Sequence, residues 1–282
     1  MSKVDLHIHS TASDGSFTPE EIVEMAADAG LTTIAVTDHD SVLGVAPAMA
    51  SAQKHHMEVL PAIELTAAYD GMLVDILGYL LDIEAPWFRA FLEEIHNKRM
   101  ERAEAMVAKL RRAGYRISWE QVCEISRGGF VCGVNILHAL YNNGHLTQEN
   151  EIWERLREFF GRDGVAYVPN NLEFKSGPET IRIIHDLGGV AVIAHPGRYY
   201  REPNIRELVK RYGMDGVEAY YSSYTPDQTL HYEKMAKELG VIVTGGSDFH
   251  GFYSKGDINL GILPVPSDIV SGLKECRQRC RS

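Results

Sequence analysis

Between Val4 and His9 apolar and polar residues alternate, with Val4, Leu6 and Ile8 set against Asp5, His7 and His9. A period of two predicts a β-strand, with His7 and His9 on one face and the apolar side chains on the other. A polar turn from Ser10 to Gly15 follows and carries Asp14. Thr18, Pro19 and Glu21 then supply an N-cap, a first-turn proline and the acid of a capping box, ahead of Ile22, Val23, Met25, Ala26 and Ala29. Gly30 stops that helix. Thr32 to Thr37 predicts a short buried strand ending in Asp38-His39-Asp40. Ser41 opens an alanine-rich helix running to about His55, and Glu58 to Ile63 predicts a third strand ending at Glu64. Strand and helix alternating at this spacing are the signature of a parallel α/β fold.

Met72 to Leu80 is another apolar strand, with Asp75 in its middle. Asp75 is either a buried acid needing a partner or a metal, or an edge residue facing water; the local sequence leaves both open. From Pro86 to Leu110 the period becomes helical and the surface heavily charged, with Lys98, Arg99, Arg102, Lys109, Arg111 and Arg112. Most of these cations read as a solvated helix face. The segment from about Arg99 to Gly164 is helical throughout, with a loop at Arg127-Gly128-Gly129, a short helix over Asn135 to Tyr141 and another over Glu149 to Phe160. It breaks the strand–helix rhythm. The chain therefore divides into residues 1–98 with 165–282, and a helical insertion, 99–164, expected to cap the site.

After Pro178 the rhythm resumes. A helix over Glu179 to Leu187 ends at Gly188-Gly189, and a strand, Val190 to Ala194, leads into His195-Pro196-Gly197-Arg198. A helix near Ile205 to Tyr212, a strand over Gly216 to Ala219 and a helix near Asp227 to Leu239 come next. The strand Val241 to Thr244 then leads into Gly245-Gly246-Ser247-Asp248-Phe249-His250, and a C-terminal helix spans about Ser267 to Arg279.

Taken alone, His7-Ile8-His9 fits a half-buried edge strand with two solvated histidines. The recurrence of similar residues at later strand ends changes that reading, because sites in parallel α/β folds form at the C-terminal ends of strands. The collected set is His7, His9, Asp14, His39, Glu64, His195, Asp248 and His250, with Asp75 as a further candidate. Mixed imidazole and carboxylate donors suit zinc, manganese or iron, and the set exceeds the needs of one ion. Two or three divalent ions sharing bridging ligands satisfy it.

Composition adds limits. With 282 residues the chain can bury a sizeable core, enough for one α/β barrel or one domain with an insertion. A net charge of −11 argues against a protein that grips duplex nucleic acid through a basic face. A small anionic substrate stays compatible, because bound metal ions invert the local charge. No apolar run is long enough to span a membrane, and a strand beginning at Val4 leaves no room for a leader, so a cytoplasmic location is expected. Cys123, Cys132, Cys276 and Cys280 form no Cys-x-x-Cys pair and are expected to be free thiols, the last two in a frayed tail.

The motifs Asp5-Leu6-His7-Ile8-His9-Ser10 with Asp14-Gly15, Thr37-Asp38-His39-Asp40, Ala62-Ile63-Glu64-Leu65, Ala194-His195-Pro196-Gly197-Arg198-Tyr199 and Gly246-Ser247-Asp248-Phe249-His250 together resemble the polymerase and histidinol phosphatase (PHP) superfamily. The length, and an insertion before the His195 motif, resemble its stand-alone metal-dependent phosphoesterases. The resemblance implies a distorted (β/α)7 barrel with a trinuclear metal site. It implies one ion on His7, His9, Glu64 and Asp248, a second on Glu64, position 75 and His195, and a third on Asp14, His39 and His250. It also implies that Arg198 binds the substrate phosphate, with Arg99 and Arg102 as further substrate contacts.

Two departures from the family pattern stand out. An aspartate, Asp75, occupies a strand position where histidine is usual, which either shifts the metal preference towards manganese or magnesium or weakens the second site. Cys132-Gly133-Val134-Asn135 replaces a stretch that often carries an arginine and a histidine. The expected activity is hydrolysis of a phosphomonoester, such as that of a nucleoside 3′,5′-bisphosphate, by attack of a metal-bridging hydroxide, with His250 or a metal-bound water as leaving-group acid. A histidinol-phosphate phosphatase and a 5′-exonuclease of short oligonucleotides are the alternatives with the same metals. A barrel that binds a nucleotide without turning it over is the alternative of another class.

Overall fold

The computed structural model describes residues 3–148, 151–170, 172–254 and 258–280. Strand β1 (Val4–Ile8) forms where the alternation predicts it, but it is buried on both faces. Leu6 and Ile8 are fully enclosed on one side, each stabilising the fold by about 1.5–3 kcal/mol. Helix α1 (Pro19–Asp28) carries the expected capping box: Glu21 N donates to Thr18 Oγ1 at 3.2 Å, and Thr18 N donates to Glu21 Oε2 at 2.7 Å. β2 (Thr33–Val36) pairs parallel with β1 and with β3 (Glu58–Val59). Between them, α2 (Val45–Ala52) starts four residues later than Ser41 suggests; Ser41 Oγ instead accepts from Leu43 N at 3.3 Å, within the preceding loop.

The third predicted strand is two strands. Pro61, which has no N–H for a ladder, separates β3 from β4 (Ala62–Tyr69). β4 turns back through Asp70 and Gly71, both at positive φ (50° and 75°), into β5 (Met72–Tyr79). An Asp-Gly pair is the expected sequence for such a two-residue hairpin. β4 and β5 therefore pair antiparallel, which corrects the all-parallel expectation. Glu64 is accordingly the third residue of an eight-residue strand and not the end of one.

A long helix, α3 (Pro86–Arg112), leads into α4 (Trp119–Ser126), α5 (Gly133–Asn142), α6 (Glu151–Glu154) and α7 (Leu156–Phe160). The last two occupy the segment read as one helix from Glu149, whose first two residues lie outside the described ones. These helices bury their own apolar cluster, including Val107, Leu110, Ile136, Leu140 and Phe159. The chain returns through α8 (Gly177–Asp186) to β6 (Val190–Ile193), which pairs antiparallel with β5. Then α9 (Pro196–Tyr199), α10 (Glu202–Tyr212), β7 (Gly216–Tyr221), α11 (Pro226–Leu239), β8 (Ile242–Gly246) and α12 (Ile269–Cys280) complete the order. β6, β7 and β8 are parallel neighbours. Cys123, Cys132 and Cys276 are free thiols, and Cys276 is buried in the core beside Leu273 rather than in a loose tail.

The result is a mixed α/β fold of two sheets, β1-β2-β3 and β4-β5-β6-β7-β8. The sheets meet at two seams. At one, Ile8 bridges Phe249, His9 N donates to Phe249 O at 2.9 Å and Asp248 N donates to His7 O at 2.8 Å. A side chain at Gly246 would sit 2.2 Å from His7 N, so glycine is required where β8 closes on β1. At the other, His39 bridges Glu64 and Asp40 N donates to Glu64 O at 2.8 Å. Both seams are made by candidate ligand residues or their neighbours, so strand pairing itself delivers those side chains to one place.

Candidate metal centre

His7 and His9 share a face of β1 as expected, and both are buried. Each ring points one nitrogen at the same two carboxylates. His7 Nε2 lies 3.4 Å from both Glu64 Oε2 and Asp248 Oδ1, and His9 Nε2 lies 3.3 and 3.2 Å from them. His39 Nδ1 is 3.2 Å from Glu64 Oε2, and His195 Nε2 is 3.0 Å from Glu64 Oε1. The turn after β1 brings Asp14 Oδ1 to 3.5 Å from His9 Nδ1 and 3.4 Å from His250 Nε2. The rings of His9 and His250 stack at 4.0 Å.

Four overlapping groups result whose donor atoms lie within 4.8 Å of one another: His9, Asp14, His39 and His250; His7, His9 and Asp248; His7, Glu64 and His195; and His39, Glu64 and Asp75. All nine sequence candidates are thus brought together. His7 Nε2, His9 Nδ1 and Nε2, His39 Nδ1 and Glu64 Oε2 are buried with no hydrogen-bond partner among the described residues. Burying such atoms unpaired is costly, and a divalent cation would satisfy them, so this donor set fits metal ions.

The electrostatics separate the carboxylates. Burial alone would raise Asp14, Glu64 and Asp248, yet the surrounding imidazoles hold all three below the ordinary carboxylate range. Asp75 moves the other way: burial raises it, and the negative charge of Glu64 adds to the effect. Its nearest basic atom is His195 Nε2, at 4.0 Å.

Residues outside the predicted set hold this arrangement. Glu218 is fully buried; its Oε1 is 2.8 Å from His7 Nδ1, and its Oε2 accepts from His195 N at 2.7 Å. Asp38 accepts from Ser10 N at 2.7 Å, Ser10 Oγ at 2.6 Å and Ser13 Oγ at 2.6 Å, fixing the turn that carries Asp14. Asp5 accepts from Ser247 N and Gly261 N at 2.8 and 2.9 Å, tying β1 to the loop after β8. His195 and Asp248 both hold positive φ (26° and 57°), a strained backbone of the kind that persists where surroundings over-determine it. A charged residue inside an apolar strand, Gly216-Val217-Glu218-Ala219, was the signal for Glu218.

Arg198 stands at the lip, with Nη1 3.2 Å from Tyr221 Oη and 3.5 Å from Asp248 Oδ2. Tyr221 donates to Asp248 Oδ2 at 2.8 Å. A cavity of about 430 Å³ opens over the cluster, lined by Asp14, His39, Asp75, His195, Arg198, Asp248 and His250 and by the aromatic side chains Trp153, Tyr199, Tyr221 and Tyr253. Arg99 and Arg102 lie elsewhere than on its wall. Arg99 is ion-paired with Asp40, with its guanidinium 4.7 Å from the Phe130 ring centre, and Arg102 Nε donates to Val168 O at 3.2 Å.

A mixed α/β fold with convergent imidazoles and carboxylates beneath a phosphate-sized arginine fork defines a metal-dependent hydrolase of phosphoesters. The chain belongs to the PHP domain family, whose model matches residues 5–168. It is 32% identical over 92% of its length to a 5′-3′ exoribonuclease of Haemophilus influenzae, covering 93% of that protein. It is 30% identical over 89% of its length to a 3′,5′-nucleoside bisphosphate phosphatase of Chromobacterium violaceum, covering 88% of it. A phosphoribosyl 1,2-cyclic phosphate 1,2-diphosphodiesterase of Eggerthella lenta is 29% identical over 89% of the chain and covered to 95%. Among solved structures, a protein of Bifidobacterium adolescentis assigned as a metal-dependent phosphoesterase superposes with a TM-score of 0.85 at 25% identity, over 97% of this chain and 96% of that one. The chain is therefore a PHP-family phosphoesterase. No helix among the described residues is long and apolar enough to cross a membrane.

Proposed function

We propose that the chain hydrolyses the phosphomonoester of a small nucleotide, with the nucleoside 3′,5′-bisphosphates as the leading substrate class. The observation that carries this reading is the single arginine fork, Arg198, set beside the ligand cluster in a cavity the size of one small ligand. His7, His9, Glu64 and Asp248 would hold one ion, Glu64, Asp75 and His195 a second, and Asp14, His39 and His250 a third. Bound divalent ions supply Lewis acidity toward phosphoryl oxygens and make water a nucleophile at neutral pH.

The protein's own groups do the rest. Arg198 clamps a non-bridging phosphoryl oxygen, with Tyr221 aligning its fork. Trp153, Tyr199 and Tyr221 line the same cavity, where their rings would exclude water and pack against a base. His250, whose Nδ1 faces the Asp248 carbonyl at 2.8 Å, aims Nε2 toward Asp14; it would serve as leaving-group acid only with the third position open, because Nε2 on an ion carries no proton. The helical segment 99–164 acts as a cap over residues 1–98 and 165–282, and the two bridged seams support reading the sheets as one distorted barrel of the (β/α)7 kind.

The test is phosphate release from a panel of phosphate esters, histidinol phosphate included, with Mn²⁺, Zn²⁺ or Mg²⁺ supplied in turn. A bisphosphate nucleotide should lead the panel, and His9→Ala or Asp248→Ala should abolish turnover in a folded protein. Full activity of either variant with metal present would sink the assignment. A second reading, trimming of short RNA from the 5′ end, is favoured by the Haemophilus relative. Release of mononucleotides from a 5′-phosphorylated tetranucleotide faster than phosphate from a bisphosphate would select it.

A further inference from the structure

The four donor groups differ in hardness. The set His9, Asp14, His39 and His250 offers three imidazoles and one carboxylate, and both sets built on His7 offer two imidazoles and one carboxylate. The second position, on Glu64, Asp75 and His195, reverses the balance, with one imidazole and two carboxylates, and His39 lies against the same two carboxylates. Two buried atoms at this position, Glu64 Oε2 and the neighbouring His39 Nδ1, have no hydrogen-bond partner among the described residues. Glu64 is fully buried and the Asp75 side chain is 14% exposed, and two carboxylates this close repel each other unless a proton or a cation lies between them.

We propose that the Glu64–Asp75 position is a hard-ion site. It takes Mn²⁺ or Mg²⁺ and exchanges it, while the imidazole-rich positions around His7, His9 and His250 hold a softer ion such as Zn²⁺. This rests on the metal-dependent reading above and goes further, because it assigns ion classes to positions. The physical ground is donor chemistry. Zn²⁺ outcompetes Mn²⁺ at nearly any site, but the margin narrows as carboxylate replaces imidazole, because Zn²⁺ gains more from nitrogen donors. Asp75 supplies a charged oxygen where each of the other donor groups carries a second imidazole. The chain thus carries two classes of donor set in one centre, with Glu64 shared between them.

The experiment loads metal-free protein with Mn²⁺ and titrates in Zn²⁺, following released Mn²⁺ by electron paramagnetic resonance and bound metal by elemental analysis. The wild-type protein should lose Mn²⁺ in two phases, the last equivalent per chain needing at least about tenfold more zinc. Asp75→His should merge the phases with the metal total unchanged. Asp75→Asn, which keeps an oxygen donor and removes the charge, should release that last Mn²⁺ at about tenfold lower zinc. A single phase in the wild type, or two phases in Asp75→His identical to those of the wild type, overturns the proposal. Failure of the parent reading looks different: no Mn²⁺ or Zn²⁺ is bound by the wild type at all.

Discussion

Glu218 touches no substrate-facing surface, yet its replacement by glutamine should be among the most damaging conservative changes in the chain. A carboxylate only accepts, so contact with Glu218 Oε1 at 2.8 Å keeps the proton of His7 on Nδ1. Nε2, the nitrogen facing Glu64 and Asp248, then keeps its lone pair for a metal. The second oxygen is already engaged by His195 N at 2.7 Å. An amide in place of the carboxylate has one acceptor for these two donors. If its oxygen serves His195, its NH₂ faces His7 Nδ1 and forces the proton to Nε2, which abolishes that ligand. If it flips, NH₂ meets the His195 N–H and the backbone that carries the ring is pushed away.

Either outcome costs a metal-ligating imidazole its orientation. Losing such an outer partner typically lowers metal affinity or activity by roughly 10–100-fold. At about 1.4 kcal/mol per tenfold that is about 1.4–2.7 kcal/mol. The assay is competition of Glu218→Gln against a fluorescent zinc chelator, with kcat/KM measured on the same preparation and folding checked by circular dichroism. A folded variant with wild-type metal affinity refutes the argument, because Glu218 would then be only a buried acid with satisfied neighbours.

Other consequences are simpler. Arg198→Lys removes the fork shared with Tyr221 and substrate; kcat/KM should fall by about 10–100-fold, the worth of a hydrogen bond to a charged group, with metal content unchanged in elemental analysis. Gly129→Ala would place a methyl 1.9 Å from Thr11 O, where the insertion rests on the Asp14 turn; overpacking of about 1–3 kcal/mol should lower Tm by several degrees in calorimetry. His185 is raised by its 2.8 Å hydrogen bond to Asp215, against the opposing effect of burial. Its contribution to stability should be fully present below an unfolded pKa of about 6.5 and disappear as pH rises through the folded value, so urea midpoints of wild type and His185→Gln should converge above that pH.

The candidate cluster was more legible than the architecture around it. Histidine and carboxylate side chains that interrupt apolar strands announce themselves, because each is costly to bury without a purpose, and His7, His9, His39, Glu64, His195, Asp248 and His250 all reach one place. What reads poorly is direction. The turn Asp70-Gly71 was a two-residue hairpin signal, and overlooking it made β4 end at Glu64 and left β5 as one more parallel strand. Arg99 and Arg102 show the same weakness: the charge was visible, but not that Arg99 is turned to Asp40 and Arg102 to Val168 O.

Asp75 shows why direction matters to chemistry. Placed mid-strand in a parallel sheet, it would lie below the level at which strand ends deliver ligands, and a water-facing edge would explain it as well. In the observed register Asp75 sits opposite Thr66, two residues beyond the pair formed by Glu64 and Leu77 and so on the same face of the sheet. On its other side, Ile76 pairs with Ile193, and Ala194 N reaches the Asp75 carbonyl at 3.3 Å. Because β5 runs against both neighbours, its middle is level with the C-terminal end of β6, where His195 begins. The same residue that local sequence left undecided is therefore carried to the cluster by an antiparallel strand. Its carboxylate is there a structural consequence of the hairpin that the sequence pattern alone had hidden.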